Sequence, residues 1–239
     1  MTVLFSIAQG VATLTLNRPQ SRNALNFAMC DGIIETSKAA CADDSTRIFF
    51  VKANGPAFCA GADLKERQGM SSAQVRERRM KGFAAYAALE ALPMPVIAVV
   101  QGPAVGSGCE IAGACDFIVA TPEASFRTPE ALHGTVGATQ RLPRILGKRL
   151  AKDLMFTGRT LSAEEAREAG LVSRLVLSSE LELVLKEIQD TVLNAPPKSL
   201  QLAKRCIDSG VELDPEGALA TEIAAIEEQL AGGNWMGKK

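Results

Sequence analysis

Residues 95–121, PVIAVVQGPAVGSGCEIAGACDFIVAT, join two apolar runs through a segment of small residues. The first run, VIAVV, is mostly β-branched and has no polar residue, which is typical of a strand buried on both faces of a sheet. The second run, DFIVAT, predicts the next strand. Between them, AVGSGCEIAGAC predicts a glycine-rich turn that enters a short helix. The stretch therefore predicts a strand–helix–strand unit of an α/β protein.

Strands and helices alternate on both sides of this unit. The segment VLFSIAQGVATLTLNRP alternates apolar and polar residues around Gln9-Gly10, which predicts a β-hairpin. Asn23 is a candidate N-cap of a helix, TRIFFVKANG predicts a buried strand, and Ser71 or Ser72 opens an amphipathic helix. A late strand, LVSRLVL, completes the alternation.

Helices alone follow this last strand. From about Glu180 the pattern is helical almost to the end, with a break at Pro196-Pro197. We therefore predict an α/β core over residues 1–180 and a helical C-terminal region over residues 181–239.

The charges of the chain are nearly balanced. Its 239 residues include 26 Lys and Arg against 27 Asp and Glu, so the formal net charge is −1. No overall basic field exists to hold nucleic acid or an anionic membrane. The segment MTVLFSIAQG has no basic region before a long apolar run, so we expect no signal peptide, and no apolar run is long enough to span a bilayer. We expect a cytoplasmic protein with neither a nucleic-acid nor a membrane partner.

The six cysteines form no C-x-x-C pair, and His133 is the single histidine. This composition argues against a metal site and favours free thiols in a reducing compartment. Cys59 and Cys109 flank two glycine-bearing loops, but no nearby histidine is evident to activate them, so we expect packing roles. For His133 we expect a local hydrogen bond within its loop.

Two segments share one physical trait. In NGPAFCAGADLKE and in QGPAVGSGCEIAG, a strand ends in a glycine-bearing loop that leads into a predicted helix start. A helix N-terminus presents unpaired N–H groups, and small residues let a ligand approach that backbone. Two such donors aimed at one point form an oxyanion hole. The residues leave open a simpler interpretation, in which both turns only serve packing.

Two carboxylates are candidates for acid–base chemistry. Glu110 lies among small apolar residues, where a carboxylate is costly unless it has a partner or a task. Glu130 follows Pro129 in SFRTPEALHGT. Paired carboxylates around a shared water can divide acid and base roles. The residues alone do not bring the two together, and Glu130 by itself also fits a surface loop.

Taken together, these segments resemble the crotonase superfamily, that is, the enoyl-CoA hydratases and isomerases. The resemblance rests on VATLTLNRPQSRNAL, AFCAGADLKE, the opening stretch, ASFRTPE, TQRLPRILG and FTGRTLSAEEAREAGLVSRLV, in the order and near the spacing of that family. It implies a ββα spiral core and a C-terminal helical region that builds homotrimers, often paired into hexamers. It also implies an acyl-CoA thioester substrate and no separate cofactor.

The resemblance implies roles for individual residues. The N–H groups of Ala62 and Ser107 would form the oxyanion hole, and Glu110 and Glu130 would hold one water. The residues implied in binding the CoA part are Arg22, Ala60, Gly61, Ala62, Asp63, Leu64, Lys65, Gly106 and Gly108. Among them, Arg22 and Lys65 serve equally well as solvated surface charges, and Asp63 is expected to cap a following helix.

The expected reaction is the syn addition of water to a 2-trans-enoyl-CoA in fatty-acid or related acyl-CoA metabolism. A Δ3,Δ2-enoyl-CoA isomerase or a specialised dehydratase is the alternative within the family, and isomerisation needs only one glutamate. A non-catalytic relative that binds CoA esters or RNA is a further alternative. The first predicted helix carries only Lys38, so the lysine row that some RNA-binding relatives have is absent.

Three features depart from the family pattern. Ser107 stands where a glycine is usual, although a backbone donor survives that change. The loop EALHGTVGATQRL is about three residues shorter than usual, which puts the acyl pocket and the aim of Glu130 in question. The tail LAGGNWMGKK is short, so we expect a reduced C-terminal element.

Overall fold

The computed structural model describes residues 1–232 and is built around a six-stranded sheet. The strands are β1 (Val3–Ala8), β2 (Val11–Leu16), β3 (Ile48–Ala53), β4 (Val96–Val100), β5 (Pro103–Val105), β6 (Phe117–Ala120), β7 (Ser125–Arg127), β8 (Leu161–Ser162) and β9 (Arg174–Leu175). The main sheet has the order β1-β2-β3-β4-β6-β9, and a small second sheet has the order β5-β7-β8. The predicted α/β alternation is confirmed.

The first two strands form the predicted hairpin. They are antiparallel, and their turn residues Gln9 and Gly10 both have positive φ, at 52° and 80°. This geometry is typical of the two-residue turns that match the twist of a hairpin. The other pairs of the main sheet are parallel, so the carboxyl ends of β3 and β4 lie at one edge and their loops emerge together.

Within residues 1–232 the chain forms eight α-helices. They are α1 (Phe27–Ala42), α2 (Ser72–Glu90), α3 (Ser107–Gly113), α4 (Arg141–Thr157), α5 (Ala163–Glu168), α6 (Leu181–Asn194), α7 (Pro197–Gly210) and α8 (Pro215–Ala231). One face of the main sheet belongs to a large core with α1 and α2, whereas Leu185 and Ile188 of α6 pack on the other face. The last two helices pack on each other.

One predicted helix start was wrong. Helix α1 begins after Asn26, whose side chain accepts a hydrogen bond from the Met29 amide. Asn23 is instead fully buried, and its Nδ2 donates to the carbonyls of Asn54 and Ala57. It therefore ties the chain before α1 to the loop after β3, a long-range role that the local pattern does not reveal.

The C-terminal region is helical as predicted, through α8. Residues 233–239 lie outside the described residues, so the expectation of a short tail falls partly outside them too. Within residues 1–232, no helix combines the length and the apolar character that crossing a bilayer requires.

Candidate active site

The two glycine-bearing loops lie side by side. The Cys59 amide donates to the Pro103 carbonyl at 3.2 Å, and the Val105 amide donates to the Cys59 carbonyl at 2.8 Å. A Cβ atom on Gly61 would lie 3.0 Å from the Val105 oxygen, and one on Gly108 would lie 2.4 Å from the Cys59 oxygen. Glycine is therefore required at both positions for the loops to come this close.

Both predicted oxyanion donors are available. Ser107 is the first residue of α3, where a helix leaves its amides unpaired. Leu25 hydrogen-bonds to both neighbours of Ala62. Its amide donates to the Gly61 carbonyl at 2.8 Å, and its carbonyl accepts from the Asp63 amide at 2.9 Å. Because this pairing resembles that of adjacent strands, the Ala62 amide points away from Leu25. Within residues 1–232, neither amide donates to another protein group.

The first loop does not lead into a helix, contrary to expectation. Residues 64–69 form turns, and α2 begins only at Ser72. Asp63 Oδ1 accepts from the amides of Lys65 and Glu66 at 3.0 and 3.2 Å, so it caps this turn. Its Oδ2 lies 2.9 Å from Arg18 Nη2. Burial opposes ionisation of Asp63, but these hydrogen bonds and the Arg18 charge hold its pKa below the ordinary value.

Glu110 is a buried, ion-paired carboxylate. It lies on α3 with 6% of its surface exposed. Its Oε2 accepts a hydrogen bond from Arg141 Nη1 at 2.6 Å. The same guanidinium lies over the Tyr86 ring, 5.4 Å from the ring centroid. A charge-assisted hydrogen bond from a planar guanidinium fixes the orientation of the Glu110 carboxylate.

Glu130 lies in a different environment. It opens a one-turn 3₁₀ helix, Glu130–His133, directly after Pro129. A Cβ atom on Gly106 would lie 2.5 Å from Glu130 Oε1, and one on Gly137 would lie 3.1 Å from its Cγ. The side chain is therefore held between two glycines, where any larger residue would displace it.

The Glu130 carboxyl also has an unused oxygen. Its Oε2 is buried and has no hydrogen-bond partner among the described residues. Burial raises the pKa of Glu130, and the negative charge of Glu110 adds to the effect, whereas its own backbone, Arg79 and His133 act in the opposite direction. An unpaired buried carboxyl oxygen is costly, so it favours the neutral acid or a ligand that supplies the missing partner.

One cavity of about 600 Å³ brings these groups together. Of the sequence-predicted residues, Ala60, Gly61, Ala62, Leu64, Gly106, Ser107, Glu110 and Glu130 line it. Asp63 and Gly108 are buried behind this lining, and Arg22 and Lys65 are exposed outside it. His133 also lines the cavity, in the shortened loop. Within residues 1–232, no group of three or more His, Cys, Asp or Glu side chains is placed to hold a metal ion.

The sequence did not indicate which residues of α2 contribute to the site. Tyr86 lines the cavity, and the Ser107 side chain hydrogen-bonds to its hydroxyl, although burial still raises the Tyr86 pKa. Arg79 donates to the Thr135 hydroxyl and to the Val136 carbonyl, and so anchors the shortened loop. The helix was predicted, but its weak amphipathic pattern gave no signal of which face meets the loops.

The cysteines next to the loops are packed thiols. Cys59 and Cys109 are buried, and all six cysteines, which lie within residues 1–232, are free. Burial raises the pKa of Cys59 to about 12 and raises that of Cys109 as well. Neither sulfur is a thiolate near neutrality, which supports the predicted packing roles.

Comparisons with known proteins identify the family of the chain. The family model described as enoyl-CoA hydratase/isomerase matches residues 6–231. The chain is 37% identical to the short-chain-enoyl-CoA hydratase of Clostridium acetobutylicum, over 91% of this chain and 85% of that protein. It is 35% identical to an enoyl-CoA isomerase/hydratase of Mycosarcoma maydis, over 92% of this chain and 85% of that protein.

Solved structures give the same result for the fold. The crystal structure of an enoyl-CoA hydratase from Bacillus anthracis superposes with a TM-score of 0.91 at 36% identity, covering 95% of this chain and 90% of that chain. A second, an enoyl-CoA hydratase from Mycobacterium smegmatis, superposes with a TM-score of 0.92 at 32% identity, covering 96% and 91%. The chain therefore belongs to the enoyl-CoA hydratase/isomerase family and has the crotonase fold that its sequence motifs imply.

Proposed function

We propose that the protein is a hydratase that adds water to the double bond of a 2-trans-enoyl-CoA. The observation that carries the proposal is the meeting, in one cavity, of two backbone donors and two carboxyl groups in opposite environments. Hydration needs both pairs, because charge develops on the thioester oxygen while one proton leaves a water and another reaches carbon.

The thioester carbonyl would accept hydrogen bonds from the amides of Ala62 and Ser107. Electron density moves onto this oxygen as the nucleophile attacks, so fixed N–H dipoles stabilise the transition state more than the ground state. This role explains why the two loops use small residues: their backbone meets the substrate.

The two glutamates would divide the proton transfers. The Glu110 carboxylate takes a proton from the bound water as the water oxygen bonds to Cβ, and the double-bond electrons move to the thioester oxygen as an enolate. The neutral Glu130 acid then gives its proton to Cα as the enolate returns to the carbonyl form. Because the water and both carboxyls lie on one face of the double bond, the hydroxyl and the proton add to the same face, which is syn addition. Glu110 ends protonated and Glu130 ionised, so a proton returns through solvent before the next turnover.

Coenzyme A would bind as part of the substrate, with no separate cofactor. The backbone of residues 60–64 borders the cavity and is the proposed site for the adenine and pantetheine parts. Arg22 belongs to the same surface, since its carbonyl accepts from the Ala60 amide at 2.9 Å. Its exposed guanidinium and the exposed Lys65 ammonium are the proposed contacts for the phosphates.

The proposed assembly is a homotrimer or a dimer of trimers. Apolar side chains remain exposed on α7 and α8, namely Ile207, Leu219, Ile223, Ile226 and Leu230. Three of them, Ile207, Leu219 and Ile226, line a groove of about 590 Å³ between the two helices. Exposed apolar surface of this kind is typical of an interface. The free thiols are consistent with a reducing compartment, and we propose that this compartment is the cytoplasm.

A Δ3,Δ2-enoyl-CoA isomerase is the second candidate, and one observation favours it. Glu110 is tied to Arg141, whereas Glu130 has an unused oxygen and is free to exchange a proton. One carboxyl with a free oxygen beside the oxyanion hole suffices to carry a proton between Cα and Cγ. A dehydratase would use the hydratase site in the opposite direction.

Two assays on the purified protein separate these candidates. Hydration removes the absorbance of the conjugated enoyl-thioester in crotonyl-CoA and longer 2-enoyl-CoAs, whereas isomerisation of a 3-enoyl-CoA creates that absorbance. Butyryl-CoA, which has no double bond, serves as the binding control. Turnover of 2-enoyl-CoAs supports the hydratase. Turnover of 3-enoyl-CoAs alone, or butyryl-CoA binding without any turnover, would overturn it.

A further inference from the structure

Arg141 links three elements of the site. It is the first residue of α4, and its Nη1 donates to Glu110 Oε2 on α3 at 2.6 Å. Its Nε and Nη2 donate to the two carboxylate oxygens of Glu90, the last residue of α2, at 2.6 Å each. All three hydrogen-bonding nitrogens of one planar guanidinium are thus used, and the Tyr86 ring supports its face.

The two carboxylates on this guanidinium have different exposures. The side chain of Glu90 is 43% exposed, whereas that of Glu110 is 8% exposed. The two-point contact with Glu90 fixes the plane of the guanidinium, so the third contact reaches Glu110 from a set direction. Glu110 Oε1 has no protein hydrogen bond within residues 1–232, and Glu110 lines the cavity. One oxygen is therefore held by Arg141 while the other remains for a ligand.

We propose that Arg141, itself anchored by Glu90, is the positioning residue that holds the Glu110 carboxylate aimed at the attacking water. The inference rests on the proposed hydratase function and deepens it. Arg141 does not touch the cavity, so it acts through Glu110 alone. It makes the two chemically identical glutamates unequal, because Glu130 has no such partner among the described residues.

The other groups around Glu110 do not supply a positive charge that could hold its carboxylate. Tyr86 on α2 and Cys109 on α3 are neutral near pH 7, because burial raises the pKa of each. Glu130 faces Glu110 with a carboxyl of the same sign, and Arg79 and His133 act on Glu130. Within residues 1–232, Glu110 makes one salt bridge, and its partner is Arg141.

The test replaces Arg141 by methionine, which keeps a similar length without charge. Arg144→Met is the matched control, since Arg144 lies on the same helix and pairs with Glu212 at 3.0 Å on the exposed surface. We expect Arg141→Met to lower kcat for crotonyl-CoA hydration about 10- to 100-fold with KM little changed, because the base is misplaced. Arg144→Met should change neither kcat nor KM.

Two further variants separate charge from geometry. Arg141→Lys keeps the charge but not the planar fork of donors, so kcat should recover only in part while KM stays near the wild-type value. Glu90→Gln leaves Arg141 in place without its anchor and should give a smaller change in the same direction. It also serves as the test if Arg141→Met does not fold.

A measurement without turnover completes the design. In protein labelled with ¹³C at the glutamate carboxyls, the Glu110 signal is identified by its loss in Glu110→Gln. This signal should shift in Arg141→Met and stay in place in Arg144→Met, because only the first variant removes the hydrogen bond to Glu110 Oε2. The inference is overturned if Arg141→Met lowers kcat without shifting this signal. If the wild-type protein turned over no 2-enoyl-CoA and the signal still changed in Arg141→Met, the hydratase function would be refuted and the Arg141–Glu110 coupling supported.

Discussion

Glu110 and Glu130 are the same residue type in one cavity, yet their surroundings are opposite. Glu110 sits on a regular helix, buried and bonded to Arg141 at 2.6 Å. Glu130 sits on a single 3₁₀ turn between two glycines, with one buried oxygen unpaired. The comparison teaches that neighbours can give two identical side chains opposite surroundings, and the proposed division into a base and an acid rests on this difference.

The strongest way to break this comparison is to neutralise each carboxyl in turn. Glu110→Gln and Glu130→Gln should each lower kcat for crotonyl-CoA hydration about 100- to 10,000-fold, the range for a lost acid or base. The amide keeps the size of the side chain, so both variants should fold as wild type does by circular dichroism.

The residual activities should differ in their pH dependence. Glu110→Gln should lose the acid limb of the profile, because no base remains to be protonated, and Glu130→Gln should lose the alkaline limb. Near wild-type kcat in either variant would refute the two-glutamate mechanism, and loss of the same limb in both would refute the division of roles.

Gly106→Ala should displace Glu130 without touching its chemistry. The added Cβ would lie 2.5 Å from Glu130 Oε1. A displacement of a catalytic group by about 1 Å commonly costs about 100-fold in rate, so kcat should fall by about that factor. The pH profile of Gly106→Ala should still differ from that of Glu110→Gln. Gly134→Ala is the control, because Gly134 also has positive φ, at 65°, but no atom lies within 4 Å of its Cβ position. Equal losses in both alanine variants would point to backbone strain instead.

A smaller effect should appear in stability. Burial, and then the charge of Glu110, raise the pKa of Glu130 above the ordinary value of 4.5, so the folded state holds this proton more tightly than the unfolded state. The resulting stability is fully present below pH 4.5 and is lost as pH rises through the folded-state pKa. Urea unfolding at a series of pH values should show a steeper decline for wild type than for Glu130→Gln. Parallel declines would mean that Glu130 is not protonated preferentially in the folded state.

The sequence predicted the groups of this site better than their environments. Strands, loops and the α3 helix start follow from local patterns, because a buried run ending in glycines leaves few choices. The motif TQRLPRILG contains Arg141, but nothing local indicates that its guanidinium crosses to Glu110 and Glu90. Asn23 failed as a cap for the same reason, since its bonds reach Asn54 and Ala57. Contacts between residues distant in the chain decide the surroundings of each carboxyl, and single-sequence patterns do not encode them.

Ser107→Gly gives the smallest expected effect and sharpens the claim that backbone, not side chain, meets the substrate. The change keeps the amide at the first position of α3 and removes only the hydroxyl that bonds to Tyr86. One neutral hydrogen bond is worth about 1 kcal/mol, so kcat should change by about fivefold or less. A much larger loss, measured by the same crotonyl-CoA assay, would assign the serine hydroxyl a direct part in stabilising the thioester oxygen. That result would also make this loop unlike its partner, because Ala62 has only its amide to offer.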